Sequence, residues 1–157
     1  MLKQTISQRL AKLSLPSYDQ LPTIALYMDQ VIDQTNQYLT PLTNTSITKS
    51  MINSYVKKGL VARPIKKRYS KDHLATILVI SVLKQILPLD TVADAIKIAL
   101  ASNPVPKAYN QFVTLFNSEL KTIDDNHPTA EQYQLIAIKS LLYKLIVEDL
   151  IRNSIKK

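Results

Sequence analysis

The sequence contains only one glycine, Gly59, and neither cysteine nor tryptophan among its 157 residues. Because tight hairpins and barrel corners depend on glycine to reach positive φ, this scarcity argues against an all-β fold. The lack of cysteine excludes disulfide bonds, thiolate zinc sites and thiol catalysis, and it fits a reducing compartment. A single glycine also cannot build a glycine-rich phosphate loop. These absences favour a helical protein and remove several classes of enzyme.

Residues with catalytic chemistry are equally scarce. The two histidines, His73 and His127, lie far apart in sequence, and no cysteine, histidine or carboxylate cluster has the spacing of metal ligands. The acidic pair Asp124 and Asp125 lies at a helix end before Pro128, where acids are common loop residues. We therefore predict a protein that is not an enzyme and that holds no metal and no cofactor.

Long hydrophobic runs are also missing. The longest, residues 74–87, has 14 residues, fewer than the ~20 that a membrane-spanning helix needs, and it contains Lys84. Residues 1–13 alternate polar and apolar side chains, unlike the continuous apolar core of a signal peptide. We expect a soluble, cytoplasmic protein without membrane attachment.

The chain does have apolar residues at helical spacing along its whole length. This periodicity predicts an all-α fold of about seven helices in a single domain, residues 1–157, with at most a vestigial β-pair around residues 62–69. Gly59 is expected in the left-handed conformation just after a short helix, and Pro41 just beyond the end of the second helix. The predicted N-caps are Thr23, Thr48, Ser70 and Asp90.

Two helices are predicted beyond a linker at residues 103–106, and they form a C-terminal helical hairpin over residues 107–156. The last helix, residues 130–155, is apolar nearly all round, with Leu142 expected in the core. A helix of this kind is buried. It packs either against the preceding helix, residues 109–123, or across a two-fold interface. The second alternative predicts a homodimer through the C-terminal helices.

The positive charge is concentrated in residues 49–84. Nine basic side chains and one acidic side chain, Asp72, give this stretch a formal charge of +8, which equals that of the whole chain. The rest of the chain carries eleven basic and eleven acidic residues, so its net charge is zero. A concentrated positive patch attracts polyanions and speeds their capture. Nucleic acid is therefore the first partner to consider.

Within this stretch, a short helix with a polar outer face is followed by a glycine stop, a basic extended segment and a capped apolar helix. The segment resembles the second helix of MerR-type winged helix-turn-helix regulators, with matches at Ile52, Tyr55, Lys58, Gly59 and Leu60. Residues 67–70 resemble the end of that family's wing. The segment differs from the family where Asn53 replaces a DNA-contacting arginine and Ser54 replaces a tyrosine, and the wing is a glycine-free stub.

A more specific resemblance is to the bacterial domain of unknown function 1836, a family without an established activity. The resemblance is carried by four blocks: Leu26 to Val31, Thr48 to Tyr55, Pro64 to Ser70 and Leu83 to Leu87. Taken with the MerR resemblance, it implies a MerR-like helix-turn-helix with a short wing over residues 22–101. It adds no chemistry.

From the charge and the resemblance we predict a DNA-binding transcriptional regulator whose partner is duplex DNA. The short helix enters the major groove, where asparagine is suited to reading adenine. The basic segment grips phosphates and sets the register without reading sequence. The predicted DNA-binding residues are Lys49, Ser50, Asn53, Ser54 and Lys57 on the helix, and Arg63, Lys66, Lys67 and Arg68 in the basic segment.

Two other hypotheses stay open. In the first, the chain is a non-enzymatic protein-interaction module that kept a helix-turn-helix-like fold and lost DNA binding. Asn53 and Ser54 favour it, because they replace DNA-contacting residue types. In the second, the basic segment attaches to anionic lipid, which requires an apolar face beside the charges. Residues 63–69 offer only Ile65 for such a face.

Overall fold

The computed structural model describes residues 5–123 and 130–156. Within these ranges the protein is all-helical, with seven α-helices and no strand. The helices are α1 (Ile6–Ala11), α2 (Met28–Thr43), α3 (Lys49–Lys57), α4 (Lys71–Leu83), α5 (Leu89–Ser102), α6 (Val105–Thr122) and α7 (Ala130–Ile155), with one turn of 3₁₀-helix at Tyr18–Gln20. The predicted fold class is confirmed. The acidic pair at residues 124 and 125 and the second histidine, at 127, lie outside the described residues.

Helix α4 is the centre of the hydrophobic core. It packs against α2, α5 and α6, and apolar side chains therefore cover it on nearly every side. Ile77 and Ile80 are completely buried. The other buried apolar residues of α4 are Leu74, Ala75, Leu78 and Val82. The helix begins where predicted, because the hydroxyl of Ser70 accepts a hydrogen bond from the backbone N–H of His73.

The segment between α1 and α2 is held against α6 by hydrogen bonds. The amide of Asn117 forms two bonds with the backbone of Leu15, at 2.7 and 3.0 Å. The hydroxyl of Tyr109 donates to the carbonyl of Pro16 at 2.7 Å. These contacts join parts of the chain that are far apart in sequence, so the N-terminal segment belongs to the same core.

Two predicted helix boundaries are wrong at the ends of α2. The helix begins at Met28 and not after Thr23, because the backbone of Leu26 pairs with Tyr69 and keeps the preceding segment out of the helix. Pro41 lies inside the last turn, where it removes one helical hydrogen bond near the end of the helix. The helix ends two residues later, at Thr43, and its C-cap, Asn44, adopts the left-handed conformation.

Two more boundaries differ from the prediction because proline starts both helices. Pro88, and not Asp90, occupies the N-cap of α5, which places the aspartate in the first helical turn. Pro104 caps α6, and Pro106 lies in its first turn. A proline is tolerated there because its missing N–H would have no helical partner in any case. The linker predicted at residues 103–106 is therefore only two residues long.

The last helix, α7, has the predicted bounds but is not buried within the chain. Leu142, expected in the core, is 51 % exposed. The helix packs against α5, and Ile151 in its C-terminal part reaches the core. One packed neighbour can cover only one side of a helix that is apolar all round. No helix in the described ranges, α7 included, is long and apolar enough to cross a membrane.

The position of α4 makes a stability prediction. Ile80→Ala should lower the free energy of unfolding by about 2–5 kcal/mol, because it removes buried methyl groups and leaves a cavity. Ile24→Ala is the matched control, since Ile24 is 76 % exposed and should change stability little. Urea unfolding followed by circular dichroism measures both. Equal effects of the two substitutions would contradict the assignment of α4 to the core.

Candidate nucleic-acid interface

Helix α3 has one face in the core and one face in solvent. Ile52 and Tyr55 are buried and fix the helix to the body of the protein. Ser50, Asn53 and Lys57 follow the spacing i, i+3, i+7 and are exposed, so they share the opposite face. As predicted, the helix is capped by Thr48, whose hydroxyl accepts from the backbone N–H at residue 51 at 3.3 Å. Lys49 is also exposed, whereas Ser54 is half-buried at the edge of this face.

Gly59 turns the chain out of α3. Its φ of +79° lies in the left-handed region that was predicted for it. The turn is closed by the N–H of Leu60, which donates to the carbonyl of Tyr55 at 2.9 Å. Val61 then returns to the core with 2 % exposure. Gly59 therefore sets the direction in which the basic segment leaves the helix.

The basic segment forms a two-residue hairpin, residues 65–68. Ile65 and Arg68 exchange two backbone hydrogen bonds of 3.0 Å. The residues at the tip are Lys66, with φ +51°, and Lys67, with φ +63°. Positive φ at both central residues is the requirement of a type I′ turn, which normally selects asparagine and glycine. Here two lysines occupy these positions, and both are exposed.

The base of the hairpin is fixed by a second backbone pair. The N–H of Leu26 donates to the carbonyl of Tyr69 at 2.8 Å, and the N–H of Tyr69 donates to the carbonyl of Leu26 at 2.7 Å. Both side chains are buried, at 7 % and 4 % exposure. The hairpin is therefore attached to the segment that leads into α2.

His73 attaches the other end of the basic segment to α4. Its Nδ1 accepts a hydrogen bond of 2.9 Å from the backbone N–H of Ser70. Its Nε2 then carries the proton and donates to the carbonyl of Arg63 at 3.3 Å. The ring also packs edge-on against Tyr69, with 5.6 Å between ring centroids. His73 lies in the first turn of α4, and its side chain positions the basic segment.

Arg68 is held in place by Tyr27 at the start of α2. Its guanidinium lies 5.1 Å from the centre of the tyrosine ring, and one of its terminal nitrogens donates to the tyrosine hydroxyl at 3.0 Å. A cleft of about 530 Å³ opens beside this pair. The residues around the cleft are Ala25, Tyr27, Ile65, Lys66, Arg68, Ser70 and His73. Two cations and no acidic side chain line it, so it favours an anion.

The charge of this region is not neutralised within the described residues. Among the described residues, the ion pair between Lys144 and Glu148 lies in α7, outside residues 49–84. Asp72, the one acid of the stretch, accepts a hydrogen bond of 2.5 Å from the hydroxyl of Tyr18. The ammonium of Lys71 lies 4.8 Å from the centre of the same tyrosine ring. Burial and the neighbouring Asp72 raise the pKa of Tyr18 to about 12.

The structure makes eight of the nine predicted DNA-binding residues accessible. The ninth residue, Ser54, is half-buried. Arg63, Lys66, Lys67 and Arg68 are brought together in and beside one short turn. The sequence pattern did not indicate three contacts that fix this turn. They are the Leu26–Tyr69 backbone pair, the Arg68–Tyr27 contact and the His73–Arg63 hydrogen bond.

Comparison with known proteins identifies a family but no activity. A family model described as domain of unknown function DUF1836 matches residues 16–112, which is more than half of the chain. The chain belongs to this family. No curated protein and no solved structure has significant similarity to it. Among the described residues, no group of histidine, aspartate or glutamate side chains is arranged to hold a metal ion.

The conformation of Gly59 yields a prediction at the exit of α3. Gly59→Ala should lower the free energy of unfolding by about 1–2 kcal/mol, because a Cβ disfavours the left-handed region. Apart from Gly59 and its two chain neighbours, no residue has an atom within 4 Å of the position that this Cβ would take, so the cost comes from the backbone alone. Gly59→Asn should cost less, since asparagine tolerates positive φ. Urea unfolding of the two variants distinguishes them, and an equal cost would contradict this explanation.

Proposed function

We propose that this protein binds duplex DNA and regulates transcription in the manner of a MerR-like winged helix-turn-helix. Helix α3 enters the major groove, and the hairpin at residues 65–68 grips the phosphate backbone beside it. The observation that carries the proposal is the pair of lysines, Lys66 and Lys67, held at positive φ on the exposed tip of the hairpin. The fold alone gives no reason for lysine there.

Two lysines at the hairpin tip cost conformational free energy. A non-glycine residue in the left-handed region carries a penalty of about 1–2 kcal/mol, and Asn-Gly would form the same turn with less strain. Residues held in such conformations cluster at functional sites. Lysine contributes a positive charge at this tip, where it makes no ion pair within the described residues. Binding of a polyanion at the tip explains why lysine occupies these two strained positions.

The exposed face of α3 supports base reading. Asn53 stands at its centre, and an asparagine amide matches the hydrogen-bonding edge of adenine in the major groove. Ser50 and Lys57 lie one turn to either side, with Lys49 and Ser54 at the margins. Ser50, Asn53 and Ser54 are short, so the helix can approach the bases closely at these positions. The basic residues Arg63, Lys66, Lys67 and Arg68 then serve as phosphate contacts that position the helix.

A protein-interaction module is the second candidate function. Helix α3 has no arginine on its exposed face, and the hairpin has only two residues between its paired positions. Both features reduce the number of contacts available to DNA. If the protein is an interaction module, the basic side chains of the hairpin, which make no ion pair among the described residues, bind an acidic protein surface. The two candidates differ in the response to salt, because phosphate contacts on DNA release condensed counterions.

The position of Asn53 on the exposed face of α3 predicts that it reads a base. Asn53→Ala should weaken binding to a preferred sequence by about 1–3 kcal/mol and leave binding to random duplexes unchanged, because a base contact specifies and a phosphate contact does not. Fluorescence anisotropy with DNA selected by the wild-type protein and with random DNA measures the difference. An equal loss on both duplexes would exclude Asn53 from base reading.

The positive φ of both lysines at the hairpin tip predicts opposite effects on stability and on DNA binding. Replacing Lys66→Asn together with Lys67→Gly should raise the free energy of unfolding by about 1–2 kcal/mol, because it relieves the strain at positive φ. The same variant should weaken binding to all duplexes and make the slope of log K against log salt shallower by about 1.8. A stability gain accompanied by a binding loss is the signature of residues kept for function.

A variant with equal charge controls for net charge. Lys97 and Lys107 are exposed on α5 and α6, outside the basic stretch. Replacing both by glutamine removes the same two charges and should leave the salt slope nearly unchanged. If this control weakens DNA binding as much as the hairpin variant, the effect is one of overall charge. If the wild-type protein binds no duplex even at low salt, the interaction module becomes the leading candidate.

A further inference from the structure

An apolar arm and an apolar groove are left uncovered on the same chain. The arm is the N-terminal part of α7, residues 132–143, in which every residue is exposed. The groove is a cavity of about 300 Å³ between α4, α5 and α6. Its lining is apolar apart from Thr76 and the hydroxyl of Tyr109, and that hydroxyl is already bonded to Pro16. Both surfaces expose apolar side chains to solvent, which is unfavourable without a partner that covers them.

The exposed apolar surface of α7, of which the arm carries the larger part, is too large to be an ordinary exposed patch. Twelve large apolar residues of α7 are between 39 % and 65 % exposed. If each presents roughly 200 Å² when fully exposed, their uncovered area is on the order of 1,000 Å². The largest apolar patch of a typical monomer is about 300–600 Å², whereas a stable interface buries about 800 Å² on each partner. The area therefore matches what a protein partner covers.

The arm cannot fill the groove of its own chain in this arrangement. Val147 and Ile151, in the C-terminal part of α7, form one wall of the groove. Ile136 on the arm lies 15 residues before Ile151, which is ~22 Å along the helix at 1.5 Å per residue. The helix is continuous between them. The arm therefore extends away from the groove that the other end of the same helix borders.

We propose that a second copy of this chain covers both surfaces at once. The two α7 helices lie antiparallel, so that the arm of each copy lies over the groove of the other. A two-fold arrangement of this kind needs one chain to carry both complementary surfaces, and this chain does. The contact needs little charge complementarity in the partner, because Lys139 is the only charged residue of the arm.

The proposed dimer and the proposed DNA binding do not depend on each other. Residues 49–68 take no part in the arm or the groove, so the hairpin variant should remain a dimer. A failure of dimer formation and a failure of DNA binding are thus separate results. If both hold, the dimer presents two copies of α3 to one duplex, and their joint binding exceeds that of a single copy.

Light scattering of the full chain tests the oligomeric state. The wild-type protein should have twice the 17.8 kDa mass of one chain, and Ile136→Lys should reduce it to the mass of one chain. Ile24→Lys is the matched control, because Ile24 is an exposed isoleucine outside the arm and the groove. It should stay a dimer. A wild-type protein that is monomeric at tens of micromolar would overturn the proposal, since another partner must then cover the arm.

Disulfide trapping tests the arrangement of the two copies. The chain has no cysteine, so introduced ones report only the chosen contact. Ile136→Cys on the arm and Leu100→Cys at the groove, made in separate chains with different tags and mixed, should form a cross-linked heterodimer. Replacing the groove variant by Ile24→Cys should abolish it. A dimer that forms no link between residues 136 and 100 would contradict the placement of the arm in the groove.

Discussion

The backbone pair between Leu26 and Tyr69 is the constraint on which the proposed interface depends. It joins the segment before α2 to the end of the basic hairpin through two hydrogen bonds that are buried with their side chains. Tyr69 also packs against His73, which fixes Arg63 on the other side of the hairpin. A segment with several like charges would otherwise repel itself into an open loop. Here both of its ends are attached to the core, so the charges stay concentrated.

This attachment explains how the hairpin can hold strain at its tip. Lys66 and Lys67 adopt a conformation that costs free energy locally, and the buried contacts at the base supply the stability that offsets it. A rigid tip loses little conformational entropy when it meets a phosphate backbone. The same reasoning accounts for Arg68, whose contact with Tyr27 fixes the guanidinium before any partner arrives. The proposed phosphate contacts are thus preorganised by core residues.

Local signals in the sequence predicted which helices form, but they missed some helix boundaries and the contacts between helices. Thr48 and Ser70 cap their helices as predicted, because a cap bonds to a backbone group only three residues away. Thr23 fails as a cap because Leu26 pairs with a residue 43 positions later, which no local pattern reveals. The lysine turn was foreseen only as a vestigial β-pair, since it lacks the Asn-Gly signal. The apolar surface of α7 was evident, but the sequence does not say which surface covers it.

DNA binding by α3 and the hairpin is tested by mapping the DNA contact on the protein. Amide chemical shifts of the isotope-labelled protein can be followed by NMR while a short duplex is added at low salt. If α3 and the hairpin contact the duplex, the largest changes fall in residues 49–57 and 63–68, and α7 is unaffected. Changes confined to α7, or no change at any residue, would contradict it.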